Sequence, residues 1–538
     1  MTETWKTRLL RAWRDERSPE EERRLLFLCF AAVFCWGLAA HAYGFFRASF
    51  THDMLNALVV TPVETYWKMQ LGRPGIVLYR RVVRGLIAAP WLIGFLSLVW
   101  LSLSCFLVVK LFRVRGKAFP LITAGILAVN LSVTGMCAGF LYEMDANFFA
   151  MLCGVFAVLL WDRLGWKGSA LGLFFVTFCM GTYQSMVSVP VTLIMLLSVA
   201  SLLRGTDFRT VFRKGLLGVG RLAAGALLYF GAVRLMCVWK GINLTMDSYN
   251  RLGQGAAAGL PGKLALVYRT WAVAFWDPAH AHVEPFVLAV NIALPALALM
   301  RLAAWLARSR AGAAEKALLA ALLLLLPLGM NTAQLGFSRP VHDLMKYAFW
   351  LFELLWLLPF FLLPPLRPGK GAPLRAAAAL LAALLLFSNV QTANNVYTRK
   401  DLEQTACLSL MTRVMARVEE RPDYVPGETP LVFAGVSPLL NERIPGFEDY
   451  YDIAGAEYAT PLVKSDASYF YNAYAAYLRY ILNCSAVPAD ADTWARLQRD
   501  PRVLAMPAYP ADGCVRVLDG VAVVRLGEIT DLDKGDPS

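Results

Sequence analysis

Charged residues are scarce in this chain, and the scarcity excludes a soluble globular protein. Asp, Glu, Lys and Arg make up 17% of the 538 residues, against roughly 25% in soluble domains. No internal repeat is obvious, so the inverted-repeat signature of a transporter is missing. No basic patch with interleaved aromatics stands apart from the apolar runs, so the net charge of +13 does not point to nucleic acid. A cleavable leader is not evident either. The first 24 residues are charged and amphipathic, and Leu25 to Phe46 is long enough to span a bilayer, so this run reads as an anchor.

What is abundant is apolar length. Hydrophobic residues reach 58% and mean hydropathy is +0.50. Eleven runs read as membrane spans, near 25–46, 86–109, 119–141, 147–161, 169–187, 189–203, 215–238, 285–307, 317–330, 349–366 and 376–392, since a hydrocarbon core needs about 20 apolar residues. Basic residues collect before the first run and around Lys110–Lys117, Arg163–Lys167, Arg204–Lys214, Arg308–Lys316 and Arg367–Arg375. With eleven spans these all fall on one side, which the positive-inside bias makes cytoplasmic. Loop 47–85 breaks the bias with Arg47, Lys68, Arg73, Arg80, Arg81 and Arg84. A violation of so strong a rule is a candidate for function.

The expected fold is a polytopic α-helical membrane protein of about 11 transmembrane helices over residues 1–395, with a C-terminal soluble α/β or α+β periplasmic domain over 396–538. That domain alternates strand-like runs (Leu431–Ala434, Val521–Leu526) with a helical stretch at 467–483. Cys484 and Cys514 are candidates for a disulfide in an oxidising compartment. Residues 54–69 carry an apolar stripe at helical spacing and read as an amphipathic outer helix lying in the interface, with Asp53 at its start as an N-cap, a functional acid, or both.

The outer face gathers the unusual polar residues. Loop 47–85 adds His52, Asp53 and Glu64 to its basic set, and the turn at 142–146 adds Glu143 and Asp145. The tight link between the runs 169–187 and 189–203, hinged near Ser188-Val189-Pro190, adds Tyr183 and Gln184, and loop 331–348 adds Arg339, His342, Asp343 and Lys346. Two acids that close to hydrocarbon are costly unless solvated or paired; they form either a solvated turn or a second carboxylate site facing Asp53. Arg73, Arg80 and Arg81 are suited to pair a phosphate bidentately. His280 and His282 with Asp277 and Glu284 carry metal-type donors, although two alternate histidines are a weak signal. No metal is assigned, and a divalent cation is the one cofactor candidate.

Four segments carry a family resemblance: Thr51-His52-Asp53 with Leu71-Gly72-Arg73, Tyr142-Glu143-Met144-Asp145-Ala146-Asn147-Phe148, and Gly181-Thr182-Tyr183-Gln184-Ser185. With the polytopic body they resemble GT-C glycosyltransferases, and within these the glucosyltransferase Gtr type II family of O-antigen-modifying enzymes. The family tends to carry paired acids in the first loop; here the partner position is His52. The resemblance implies transfer of a sugar, glucose above all, from a polyprenyl-phosphate donor to a cell-surface or lipid-linked glycan acceptor. The reaction would take place on the periplasmic face of a bacterial inner membrane. It implies Asp53 as general base, Glu143 or Asp145 positioning acceptor or metal, Arg73 and Arg339 stabilising the departing phosphate, and Tyr183 and Gln184 on the sugar. His52, Arg80, His342 and Lys346 complete the candidate substrate-binding set. Two other readings stand beside it: a flippase or transporter of lipid-linked glycans, and an O-antigen polymerase or ligase.

Overall fold

A computed structural model of the chain describes residues 17–244, 259–277, 285–309, 311–337, 340–365, 371–439, 443–451 and 474–529. The first helix, α1 (Pro19–Phe46), starts where the sequence says it should. Ser18 accepts from the Glu21 N–H, Glu21 reaches back to the Ser18 N–H, and Pro19 occupies the first turn, which satisfies two orphan donors at once. A polar excursion follows, with α2 (His52–Asn56), α3 (Pro62–Gln70) and α4 (Pro74–Tyr79), which runs on into one π-turn at Arg80–Arg84. The apolar helices are α5 (Pro90–Phe112), α6 (Ala118–Ala128), α7 (Leu131–Gly139), α8 (Leu141–Leu164), α9 (Ser169–Thr182), α10 (Ser188–Leu203), α11 (Phe208–Lys240), α12 (Gly259–Trp276), α13 (Pro285–Arg308), α14 (Ala313–Met330), α15 (Phe352–Leu362) and α16 (Gly371–Glu419). Among the described residues nine helical segments are long and apolar enough to cross a membrane, α6 and α7 counting as one. Two shorter apolar helices, at Ser169–Thr182 and Tyr347–Leu362, lie where the fifth and tenth spans were expected.

Three local differences from the sequence expectation have physical causes. The outer amphipathic helix is two helices rather than one over 54–69. Pro62 cannot donate into a continuing helix, and Thr61, held extended before it, caps α3 by accepting from the Glu64 N–H. The third span breaks at Asn130, whose side chain accepts from the Val133 N–H at 3.1 Å and donates to the Ile126 carbonyl at 2.9 Å. Such a break is tolerated at membrane depth only inside protein, and Asn130 is buried. The hinge between the fifth and sixth runs is a single 3-10 turn at Gln184–Val187, not Ser188–Pro190, because Tyr183 is the residue held extended.

Helix α16 has 49 residues, about 74 Å at 1.5 Å per residue, and is continuous across residues 395 and 396. Its distal part packs on a four-stranded sheet of order β2-β1-β4-β3, formed by β1 (Pro430–Ala434), β2 (Val487–Pro488), β3 (Val515–Leu518) and β4 (Val521–Arg525). β1 is parallel to β2 and β4, while β3 and β4 form a hairpin closed by Asp519-Gly520, both at positive φ, as a two-residue primed turn requires. The strand-like runs at 431–434 and 521–526 are therefore β1 and β4. Cys484 and Cys514 are separate thiols; the Cys484 thiol contacts the Leu478 carbonyl instead.

Candidate functional site

The site is assembled by one close approach. A methyl placed on Gly75 would lie 2.4 Å from Thr182 Oγ1 and 2.9 Å from the Gly181 backbone, so only glycine lets the start of α4 seat on the end of α9. Gly72 turns the chain at φ +69° just before, a conformation that suits glycine. This seating carries Arg73 to the hinge. Its Nε donates to Gln184 Oε1 at 3.1 Å, and its guanidinium lies 4.8 Å from the Tyr183 ring centre, a cation–π contact. Gln184 in turn donates to the Leu71 carbonyl at 2.8 Å and to Tyr229 Oη at 3.0 Å. Tyr229, from the middle of α11, donates to the Gly72 carbonyl at 2.9 Å.

Behind Arg73 lies a buried ion cluster. Glu143, placed by the sequence in the turn at 142–146, is in the first turn of α8 and 4% exposed, which removes the solvated-turn reading. It pairs closely with Lys68 and lies 3.7 Å from Arg73 and 3.8 Å from Arg80. Arg80, 1% exposed, grips Glu64 through both carboxylate oxygens at 2.7 and 2.8 Å. Asp145, fully buried, takes Arg84 at 3.0 Å and the Tyr79 hydroxyl at 3.2 Å. The Trp100 indole supports that hydroxyl at 2.9 Å. Burial pulls the Arg80 guanidinium down, but the Glu64 and Glu143 charges outweigh it and the net shift is upward. For Arg84 burial wins over Asp145 and the shift is downward. Burial and then Asp145 push the Tyr79 hydroxyl well up, so it stays a proton donor.

These pairings account for four of the six basic residues of loop 47–85. Four cations (Lys68, Arg73, Arg80, Arg84) face three acids (Glu64, Glu143, Asp145), a surplus of one positive charge. Nη2 of Arg80 and of Arg84 are buried without a hydrogen-bond acceptor among the described residues. Arg73 alone of the four reaches the cavity in front, of about 290 Å³, lined also by Tyr183, Gln184, Ser185, Tyr229 and Thr332. The Ser185 hydroxyl on that wall is buried and lacks a hydrogen-bond partner among the described residues.

Asp53 stands in the first turn of α2. Thr51, its helix cap, donates to the Gly139 carbonyl at 2.9 Å, four residues before Glu143. His52 is in the same helix, and its side chain lies outside the described residues, as do Arg339, His280, His282 and Glu284. Lys346 pairs with Asp343 at 2.7 Å, which places it in the wall of the bundle, while Met345 beside it lines the cavity. His342 is exposed on the same loop. His41, near the end of α1, is buried between the Tyr397 hydroxyl and the Ala128 carbonyl. The carboxylates of Glu64, Glu143 and Asp145 are each already held by cations. Among the described residues no group of three or more His, Cys, Asp or Glu converges to hold a metal.

Three of the segments singled out in the sequence thus meet, Gly72-Arg73 on Tyr183-Gln184 and Glu143 on Arg73, while Thr51 of the fourth bonds Gly139, three residues before Tyr142. A family profile described as Glucosyl transferase GtrII matches residues 42–363, which contain all of them and more than half of the chain. The chain belongs to this glucosyl transferase family. No curated protein and no solved structure matches it significantly. Membership makes the transferase an enzyme with a sugar donor and an acceptor, and its apolar helices make it a membrane protein.

Sequence reasoning named Arg73, Arg80, Glu143, Asp145, Tyr183 and Gln184, and the structure brings these six together. It gave no role to Lys68, Glu64 and Arg84, although their place in the loop that defies the charge bias was a signal. Tyr79 and Tyr229 had none, being single hydroxyls in apolar runs.

Proposed function

We propose that the transferase moves glucose from a polyprenyl-phosphate-linked donor to a surface-glycan acceptor, on the outer face of a bacterial inner membrane. The observation that carries this reading is Arg73. It is a guanidinium at the edge of a cavity, oriented by Gln184, Tyr183 and Glu143, in a cluster with surplus positive charge. Such a group favours the state in which negative charge gathers on a departing phosphate. In this reading the Asp53 carboxylate takes the proton of an acceptor hydroxyl, whose oxygen attacks the anomeric carbon. The bond from that carbon to the phosphate oxygen breaks, and polyprenyl phosphate leaves with its charge facing Arg73. Tyr183 and Gln184 flank the sugar. Glu143 holds Lys68, Arg73 and Arg80 in place and has no spare capacity as a base. With the N-terminus cytoplasmic, as the charge bias of the other loops has it, this cavity would open on the periplasmic side, where a lipid rather than a nucleotide carries the activated sugar.

Family membership favours sugar transfer over the flippase and polymerase or ligase alternatives. The test is a panel of donors given to the purified transferase in proteoliposomes with an extract of surface glycan. Loss of polyprenyl-phosphate glucose, with the nucleotide-linked sugar untouched, is expected. Consumption of the nucleotide sugar would overturn the donor assignment.

A further inference from the structure

A second cavity, of about 360 Å³, lies at the opposite ends of the same helices, between the last turns of α8 and α10 and the first turns of α11. Its basic lining residues are Arg213, Lys214 and Arg221. The one acid in it, Asp162, is already engaged by Arg113 at 3.1 Å and Arg163 at 3.7 Å. Arg221 sits thirteen residues past Phe208 within a span, where a charge is costly and marks a ligand or a partner. Its contacts are to neutral groups: it donates to the Gly165 carbonyl at 3.1 Å and lies 5.8 Å from the Trp161 ring centre. Among the described residues no carboxylate pairs with Arg213, Lys214 or Arg221. Of the other lining residues Ser198, Ser201 and Thr210 are polar, with the Ser198 and Ser201 hydroxyls turned onto the Ile194 and Leu197 carbonyls of their own helix. The remainder is apolar, from Ile194 and Leu197 on α10 to Leu217 on α11. Helices α10 and α11 approach closely there, because a methyl on Gly218 would already lie 3.1 Å from Ile194.

Three unneutralised cations at one end of an apolar, membrane-embedded groove match an anionic head on a hydrocarbon chain. We propose that this cavity is a binding site for a phosphate-headed lipid. The headgroup sits among Arg213, Lys214 and Arg221, and the chain runs along Ile194, Leu197 and Leu217. Long basic side chains are suited to this, since their stems pack on apolar surface while their heads stay at the interface. The site is separate from the Arg73 cavity and does not depend on the donor assignment.

The test is the thermal midpoint of the full-length protein in neutral detergent, titrated with one additive at a time. Phosphatidylglycerol is expected to raise it saturably, while phosphatidylcholine and inorganic phosphate are not. Polyprenyl phosphate is run in an Arg73→Ala background, so that the other cavity does not report, and comparison of the two lipids identifies the source of the phosphate. The triple variant Arg213→Gln, Lys214→Gln, Arg221→Gln should lose on the order of a hundredfold in apparent affinity. Leu217→Trp, which fills the groove and keeps the charges, should also weaken lipid binding, and it carries the test if the triple variant does not fold. The proposal is overturned by an equal effect of phosphatidylcholine, by inorganic phosphate reproducing the shift at the same concentration, or by unchanged affinity in Leu217→Trp.

Discussion

At the scale of single residues, the centre of the site is a carboxylate that cannot act alone. Glu143 is buried among Lys68, Arg73 and Arg80, and breaking a buried ion pair from one side costs about 3–5 kcal/mol because the other charges stay behind. Glu143→Gln is therefore expected to lower the thermal midpoint and to abolish transfer together. A variant of normal stability would show that the cluster is not the structural knot described here. Tyr229→Phe is the milder case. It removes one hydroxyl that donates to Gly72 and accepts from Gln184, a loss of about 1 kcal/mol. Weaker donor affinity with the turnover number nearly unchanged is expected in steady-state kinetics, since the hydroxyl orients Gln184 and touches no reacting atom. Residue types were legible in the sequence, but their states were not. Glu143 and Asp145 could be picked out as anomalous acids beside an apolar run. That they are buried and paired depends on Lys68, Arg80 and Arg84, which lie roughly 60 to 75 residues earlier in the chain.

At the scale of elements, the excursion between α1 and α5 decides where every charged group goes. Its breaks are local and were readable in principle: Pro62 starts α3, Pro74 starts α4 and Gly72 turns between them. An apolar stripe over 54–69 concealed the first of these, because periodicity alone does not register a missing N–H at Pro62. Docking of α4 on α9 was not readable, since it rests on an approach of two backbones at Gly75 and Gly181. Gly75→Ala is expected to force α4 away from the hinge at a cost of about 1–3 kcal/mol and to reduce transfer sharply, with Gly220→Ala, in open space on α11, as the neutral control. Equal activity in the two variants would remove Gly75 from the account.

At the scale of the whole molecule, the run of apolar helices was legible, because hydropathy is an average over many residues. Coupling of the sheet-bearing C-terminal part to the first loop was not. Leu55, two residues from Asp53, is fully buried in the same core as β1, β4 and the distal half of α16. The Phe50 N–H donates to Gln404 on α16 at 3.1 Å. The C-terminal part thus holds the helix that carries Asp53. Leu55→Ala should cost about 2–5 kcal/mol and should lower transfer in step with the thermal midpoint. A loss of stability with activity fully retained would separate the two parts.

The central claim, that Asp53 and Arg73 serve one glucosyl transfer from a lipid-phosphate donor, is tested most directly by the initial rate of polyprenyl-phosphate glucose loss in proteoliposomes, compared between wild type, Asp53→Asn and Arg73→Ala at equal folded protein. The account predicts a fall on the order of 10²–10⁴-fold for Asp53→Asn with donor binding intact, and for Arg73→Ala a loss of both rate and donor affinity. Wild-type rates in either variant would contradict it.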